Sequence, residues 1–162
     1  MKTLVLGLGN PILTDDGVGI QIVRSLAGQL DRPDVDVAEA SLGGLRLLDE
    51  AIGYDRLVLV DAIQAGGQPG QVYQLGPDDM SSLHSASSHD LNLPVALELG
   101  RRLGLALPED EAIRIVAVEV EEVMTFGEAC TPQVQAAISR AAQMVLEILS
   151  DQFPGEESAG QK

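Results

Sequence analysis

Four consecutive apolar residues, Leu57 to Val60, predict a strand that is buried on both faces. Such a strand belongs to the middle of a mainly parallel sheet, because helices have to cover both of its faces. Elsewhere short apolar runs alternate with amphipathic helical patterns, which is the order typical of an α/β fold. The chain has 162 residues, and we expect one domain, residues 1–150, followed by a disordered tail, residues 151–162.

The predicted elements alternate along the whole domain. Strands are expected at residues 4–6, 36–40, 57–60, 71–75 and 113–118, and helices from just after Asp16 to about Leu30 and at residues 45–52, 89–104 and 132–149. About eight loop residues, rich in glycine, separate the third strand from the fourth. That is too few for a crossover helix, so the fourth strand should run antiparallel and the sheet should be mixed.

Charge and cysteine content exclude several classes of protein. The formal net charge is −15 and the pI is near 4.2, which disfavours binding to nucleic acid because phosphate contacts need clustered Lys and Arg. The single cysteine has no partner for a disulfide, and no apolar run approaches the length of a membrane span. We therefore expect a cytoplasmic protein that contacts neither nucleic acid nor membrane.

Three polar residues follow predicted strands at positions where α/β proteins collect ligands. Asp16 follows the first strand, Asp61 ends the central strand, and His89 follows a serine-rich loop after the fourth strand. Two carboxylates and an imidazole are able to contact a divalent transition metal. Taken singly, Asp16 also fits a helix start and His89 a surface loop, and we expect Asp15 and Asp90 to be solvated or to play a supporting role.

Other catalytic motifs fit less well. Ile12 stands where a dinucleotide-binding loop beginning at Gly7 needs its third glycine. The segment Ser88–Asp90 holds the residue types of a catalytic triad, but three adjacent residues do not all point into one triad. No H-E-x-x-H motif is present. Cys130 has acidic rather than basic neighbours, so we expect it to fill space rather than to act as a nucleophile.

The sequence LVLGLGNPILTDDGVG, residues 4–19, resembles the amino-terminal signature of the hydrogenase maturation endopeptidases. The resemblance continues through LVLVDA at residues 57–62, SHDL at residues 88–91 and the Thr-Pro pair at residues 131–132, and it covers about residues 2–150. It implies a three-layer α/β/α fold around a five-stranded, mixed and mostly parallel sheet, in agreement with the pattern above.

The same resemblance implies a reaction and a site. Members of that family remove a C-terminal extension from the large-subunit precursor of nickel-iron hydrogenase after nickel has been inserted. By position in the motifs, Asp16, Asp61 and His89 would contact the metal, and Asp16 and Asp61 are the expected catalytic residues. As site residues, Asp61 and His89 are expected to be exposed. Nickel would arrive with the precursor rather than reside in the enzyme.

The chain departs from the family pattern at two places. Glu39-Ala40-Ser41 stands where relatives commonly have an Asp-Gly-Gly segment, so no substrate role is predicted for it. Asp16 replaces the glutamate of some relatives and is one methylene shorter.

Two alternatives stay open at the level of sequence. The segment Gly7–Pro11 also resembles the start of bacterial peptidyl-tRNA hydrolases, although the histidine and the basic surface that those esterases need are missing. A non-catalytic maturation chaperone that binds metal or precursor has no sequence feature against it. The sequence predicts neither the hydrogenase that is served, nor the cleavage site, nor the oligomeric state.

Overall fold

A computed structural model describes residues 1–41, 45–81 and 93–151. Five strands form one sheet in the order β2-β1-β3-β5-β4. Four of them are parallel, and β4 pairs antiparallel with β5. The strands are β1 (Thr3–Leu8), β2 (Val35–Ala40), β3 (Arg56–Ile63), β4 (Val72–Leu75) and β5 (Ile113–Glu119). The predicted mixed, mostly parallel sheet is therefore confirmed, as is the antiparallel direction of its fourth strand.

Helices cover both faces of this sheet. They are α1 (Val18–Leu26), α2 (Leu45–Ala51), α3 (Leu93–Arg102) and α4 (Pro132–Ser150). Buried residues of α1 and α4 share one apolar cluster with one face of the strands, and those of α2 and α3 share a second cluster with the other face. The three-layer α/β/α architecture is confirmed. None of the helices within the described ranges is long and apolar enough to cross a membrane.

The central strand shows why an unbroken apolar run was needed. Val58 and Val60 pack in the cluster of α1 and α4, whereas Leu57 and Leu59 pack in the cluster of α2 and α3. Successive side chains of a strand point to opposite faces, so a strand covered on both sides has no position left for solvent-facing residues. All eight residues of β3 are buried.

The structure corrects two predicted boundaries. The first helix ends at Leu26 rather than near Leu30, because the chain turns at Gly28 and Leu30 then packs back on the core. The central strand does not end before Asp61 but continues to Ile63. Residues 82–92, which include most of the serine-rich loop and the predicted start of the third helix, lie outside the described residues, as do the Gly43-Gly44 pair and the tail after residue 151.

Candidate active site

The strand order places a switch point, and with it the expected crevice, between β1 and β3 at the carboxyl edge of the sheet. The pairing of β1 with β3 ends at Gly7 and Val60, whereas the pairing of β3 with β5 continues to Ile63 and Glu119. After β1 the chain turns towards β2 on one side, and after β3 it turns towards β4 and β5 on the other. Connections that leave in opposite directions mark the place where open α/β sheets bind their ligands.

Asp61 is the first residue of β3 beyond its last pair with β1. Its neighbours at alternate positions, Leu59 and Ile63, belong to the cluster of α2 and α3, so Asp61 points to that face. Its carboxylate accepts a hydrogen bond from the backbone N–H of Ala62 at 2.8 Å. We expected an exposed side chain, and this was wrong: Asp61 is 4% exposed and lies inside a strand that continues to Ile63.

Asp16 lies in a 3₁₀ turn, Thr14–Gly17, between β1 and α1. It is 3% exposed, and its Oδ2 accepts a hydrogen bond from the backbone N–H of Asn10 at 3.0 Å. The turn that carries Asp16 packs against β3, the strand that carries Asp61. The structure therefore brings the backbones of these two predicted residues to the same edge of the sheet.

Glycines of the amino-terminal motif make this close approach possible. A Cβ atom on Gly19 would overlap the backbone carbonyl oxygens of Val60 and Leu8, so only glycine lets the start of α1 contact the sheet there. Gly9 has φ +137°, and a Cβ atom at this position would overlap the carbonyl oxygen of Asp16. The motif thus specifies a tight turn rather than a phosphate-binding loop.

His89, the third predicted residue, lies outside the described residues together with His84 and Asp90. In the part of the chain that the structure describes, no group of three His, Cys, Asp or Glu side chains is arranged to hold a metal ion. The roles of Asp16, Asp61 and His89 in catalysis and metal contact stay predictions.

Asp15 was expected to be either solvated or in a supporting role, and the structure rules out the first of these and favours the second. It is fully buried, and its carboxylate accepts hydrogen bonds from the backbone N–H of Thr131 at 2.7 Å and from the N–H of Glu122 at 3.2 Å. The hydroxyl of Thr131 donates to the same carboxylate. Asp15 therefore joins the turn that carries Asp16 to the segment between β5 and α4, a distance of 116 residues along the chain.

Glu119 was missed at the level of sequence. It is 2% exposed at the end of β5, and its carboxylate accepts hydrogen bonds from the backbone N–H groups of Ala65 and Gly67, both at 2.9 Å. It thereby fixes the loop that follows β3 and Asp61. Burial and then the nearby Glu119 raise the pKa of Tyr73. The signal in the sequence was the same as for Asp61: an acidic residue at the end of an apolar strand.

Glu39, in the segment that departs from the family pattern, forms an ion pair with Arg24 of α1. Two contacts, at 2.7 and 3.0 Å, join the guanidinium to the carboxylate. Both side chains are more than one-third exposed, so the pair contributes little to stability. No substrate role follows from this contact.

Cys130 is half-buried, and burial followed by the charge of Asp15 raises the pKa of its thiol to about 11. The thiolate is the reactive form, so this cysteine is a poor nucleophile, as the sequence predicted. We expect iodoacetamide to label it at pH 8 on the order of 100-fold more slowly than a free thiol, which mass spectrometry over time would measure. Cys130→Ala should cleave substrate like the wild type; rapid labelling or an inactive alanine variant would contradict this assignment.

Comparisons with known proteins agree with the fold. The family model described as hydrogenase maturation protease matches residues 20–148. The chain is 30% identical to Hydrogenase 2 maturation protease of Escherichia coli (strain K12) over 155 residues, which cover 93% of this chain and 92% of the relative.

Solved structures of proteins from the same family are similar to this fold. The hydrogenase maturating endopeptidase HybD from E. coli superposes with a TM-score of 0.77 at 30% identity and covers 93% of both chains. The [NiFe] hydrogenase maturation protease HybD from Thermococcus kodakarensis gives a TM-score of 0.69 at 25% identity, over 91% of this chain and 99% of its own.

The fold and these relatives define the class of the protein, a peptidase of α/β fold. Within that class, the chain belongs to the hydrogenase maturation protease family. The relatives are named maturation proteases or endopeptidases, so they favour neither a peptidyl-tRNA hydrolase nor a non-catalytic chaperone.

Proposed function

We propose that this protein removes a C-terminal extension from the large-subunit precursor of a nickel-iron hydrogenase after nickel insertion. The observation that carries the proposal is the pair of aspartates at the switch point of the sheet, Asp16 on the turn after β1 and Asp61 on β3, in a hydrogenase maturation protease. A related structure is described as a [NiFe] hydrogenase maturation protease, which supports nickel-iron hydrogenase as the target.

In this proposal the metal belongs to the substrate. Asp16, Asp61 and His89 contact nickel that the precursor already holds, and two carboxylates with one imidazole leave coordination positions for the precursor's own ligands. Precursor without nickel lacks this contact and is therefore not positioned for cleavage.

The burial of both aspartates suits such a recognition step. At 3% and 4% exposure their carboxylates lie in surroundings from which water is largely excluded, where charge interactions are stronger than in bulk water. Once the precursor is bound, Asp61 or Asp16 accepts a proton from the water that attacks the scissile carbonyl. The proton then passes to the leaving amine nitrogen as the peptide bond breaks.

We place the reaction in the cytoplasm. The chain has one cysteine and so makes no internal disulfide, as is usual for proteins of a reducing compartment.

The proposal is tested by incubating nickel-loaded and nickel-free precursor with the purified protein and measuring the masses of the products by mass spectrometry. Only the loaded precursor should lose a C-terminal fragment, because only its metal reaches the aspartates. The protein alone should carry little metal. Equal cleavage of both precursors, or zinc that stays bound through chelation and is needed for activity, would refute the recognition of substrate nickel.

A further inference from the structure

Three large apolar side chains stand in solvent beside the crevice. Ile12 is 48% exposed, Met124 is 84% exposed and Phe126 is 79% exposed. We refer to these three residues as the apolar rim. Ile12 belongs to the loop between β1 and the turn of Asp16, and the other two belong to the segment between β5 and α4. Both loops leave the carboxyl edge of the sheet, where the candidate active site lies.

Backbone hydrogen bonds hold the two parts of the rim together. The N–H of Gly127 donates to the carbonyl of Ile12 at 2.8 Å, and the N–H of Thr14 donates to the carbonyl of Gly127 at 2.9 Å. Phe126 therefore lies on the segment next to Ile12, and the rim is four residues along the chain from Asp16. A partner that covers the rim reaches the neighbourhood of the crevice.

The exposed residues sit on a braced loop. The carboxylate of Glu122 accepts hydrogen bonds from the N–H groups of Met124 at 2.9 Å and Thr125 at 2.8 Å, and these bonds lower the pKa of Glu122. The hydroxyl of Thr14 donates to the carbonyl of Thr125, and Thr14 has a φ of 45°, rare for a β-branched residue. Apolar side chains presented on a fixed backbone are the arrangement of a binding surface, since little ordering remains to oppose association.

The charge around the rim indicates the partner. Exposed Glu121 and Glu128 flank it, and the chain has no Lys or Arg from residue 115 to residue 139. With a net charge of −15 on each molecule, a second copy would be repelled, whereas a basic surface would be attracted. A cleft lined by Pro11, Ile12, Gln21, Arg24 and Glu128 adjoins the rim and has room for a side chain.

We propose that the apolar rim docks the hydrogenase precursor, and that it receives an apolar part of the precursor's surface flanked by Lys or Arg. This inference rests on the proposed function and adds a second contact to it: the aspartates recognise the metal, and the rim binds the polypeptide. Contacts that are present in both ground state and transition state affect KM and leave kcat unchanged.

The double variant Met124→Ser/Phe126→Ser tests the inference with nickel-loaded precursor. We expect KM to rise at least about tenfold, with kcat within about twofold of the wild type, because a few buried apolar residues carry most of the energy of an interface. Leu103→Ser is the matched control. Leu103 is 71% exposed but follows the end of α3, on the connection that leads to the amino end of β5. It therefore lies at the opposite edge of the sheet from the rim, and its variant should keep the wild-type KM.

The charge is tested by Glu121→Gln/Glu128→Gln. This variant should raise KM at low ionic strength and approach the wild type in high salt, because salt screens exposed charges. Three results would overturn the docking role while leaving the proposed function intact. The rim variant could keep the wild-type KM, or Leu103→Ser could raise KM equally. The wild type could also prove to be a dimer that the rim variant dissociates. Failure of the wild type to cleave any precursor would instead refute the proposed function.

Discussion

Asp61→Asn is expected to abolish cleavage of nickel-loaded precursor while the protein keeps its fold. Asparagine has the size of aspartate, so it preserves packing beside Ala117 of β5, but it neither accepts a proton nor offers a charged oxygen to the metal. We expect kcat/KM to fall at least about 100-fold, the lower end of what a general acid–base group contributes. Mass spectrometry of the products and thermal unfolding of the variant measure the two effects separately.

Asp15→Asn provides the contrast for Asp61→Asn. Asp15 is just as buried, but its carboxylate accepts hydrogen bonds from Thr131 and Glu122, and an amide group would turn one of its acceptors into a donor. This variant should therefore lose stability first and activity as a consequence. If Asp61→Asn lost stability and activity in the same proportion, Asp61 would be a structural residue and the proposed role would fail.

Gly19→Ala is expected to destabilise the protein strongly for a change of one methyl group. Its Cβ atom would overlap two backbone oxygens, those of Val60 and Leu8, and neither has room to move without parting α1 from the sheet. Overpacking of this kind costs about 1–3 kcal/mol or more, against about 1 kcal/mol that alanine contributes to a helix. We expect the free energy of unfolding to fall by about 1–2 kcal/mol, as measured by urea denaturation.

Gly28→Ala is the matched control. No atom lies within 4 Å of the position that a Cβ atom would take on Gly28, so the free energy of unfolding should change by less than about 0.5 kcal/mol. Cleavage should also fall in Gly19→Ala, because a displaced α1 carries the Asp16 turn away from β3. Equal stability of the two variants would show that α1 does not need this close contact.

The sequence predicted the sheet well because its strongest signal is local. The run from Leu57 to Val60 is apolar at every position, and only burial on both faces explains such a pattern. The same strand drew attention to Asp61, because burying a carboxylate costs free energy and so points to a partner or a function. Even so, the exposure of Asp61 was predicted wrongly, because residue types alone do not show that the strand continues to Ile63 or what covers its face beyond Val60.

Asp15 and Glu119 show what local patterns miss. The partners of Asp15 are Thr131 and Glu122, which lie more than 100 residues further along the chain. Glu119 accepts hydrogen bonds from backbone N–H groups of the loop after β3. Almost every residue has such a group, so the residue types do not indicate this contact. Contacts that depend on the tertiary approach of distant segments are not encoded in spacing or periodicity, so the sequence did not show which groups these two carboxylates bind.

The bond between Asp15 and Thr131 has a consequence for biosynthesis. The turn beside Asp16 gains its brace only when Thr131, close to the start of α4 and 116 residues after Asp15, has been synthesised and has folded back. A nascent polypeptide that already contains both aspartates still lacks this support. A fragment that stops before residue 131 would therefore contain Asp16 and Asp61 but would lack the contact that holds the Asp16 turn in place.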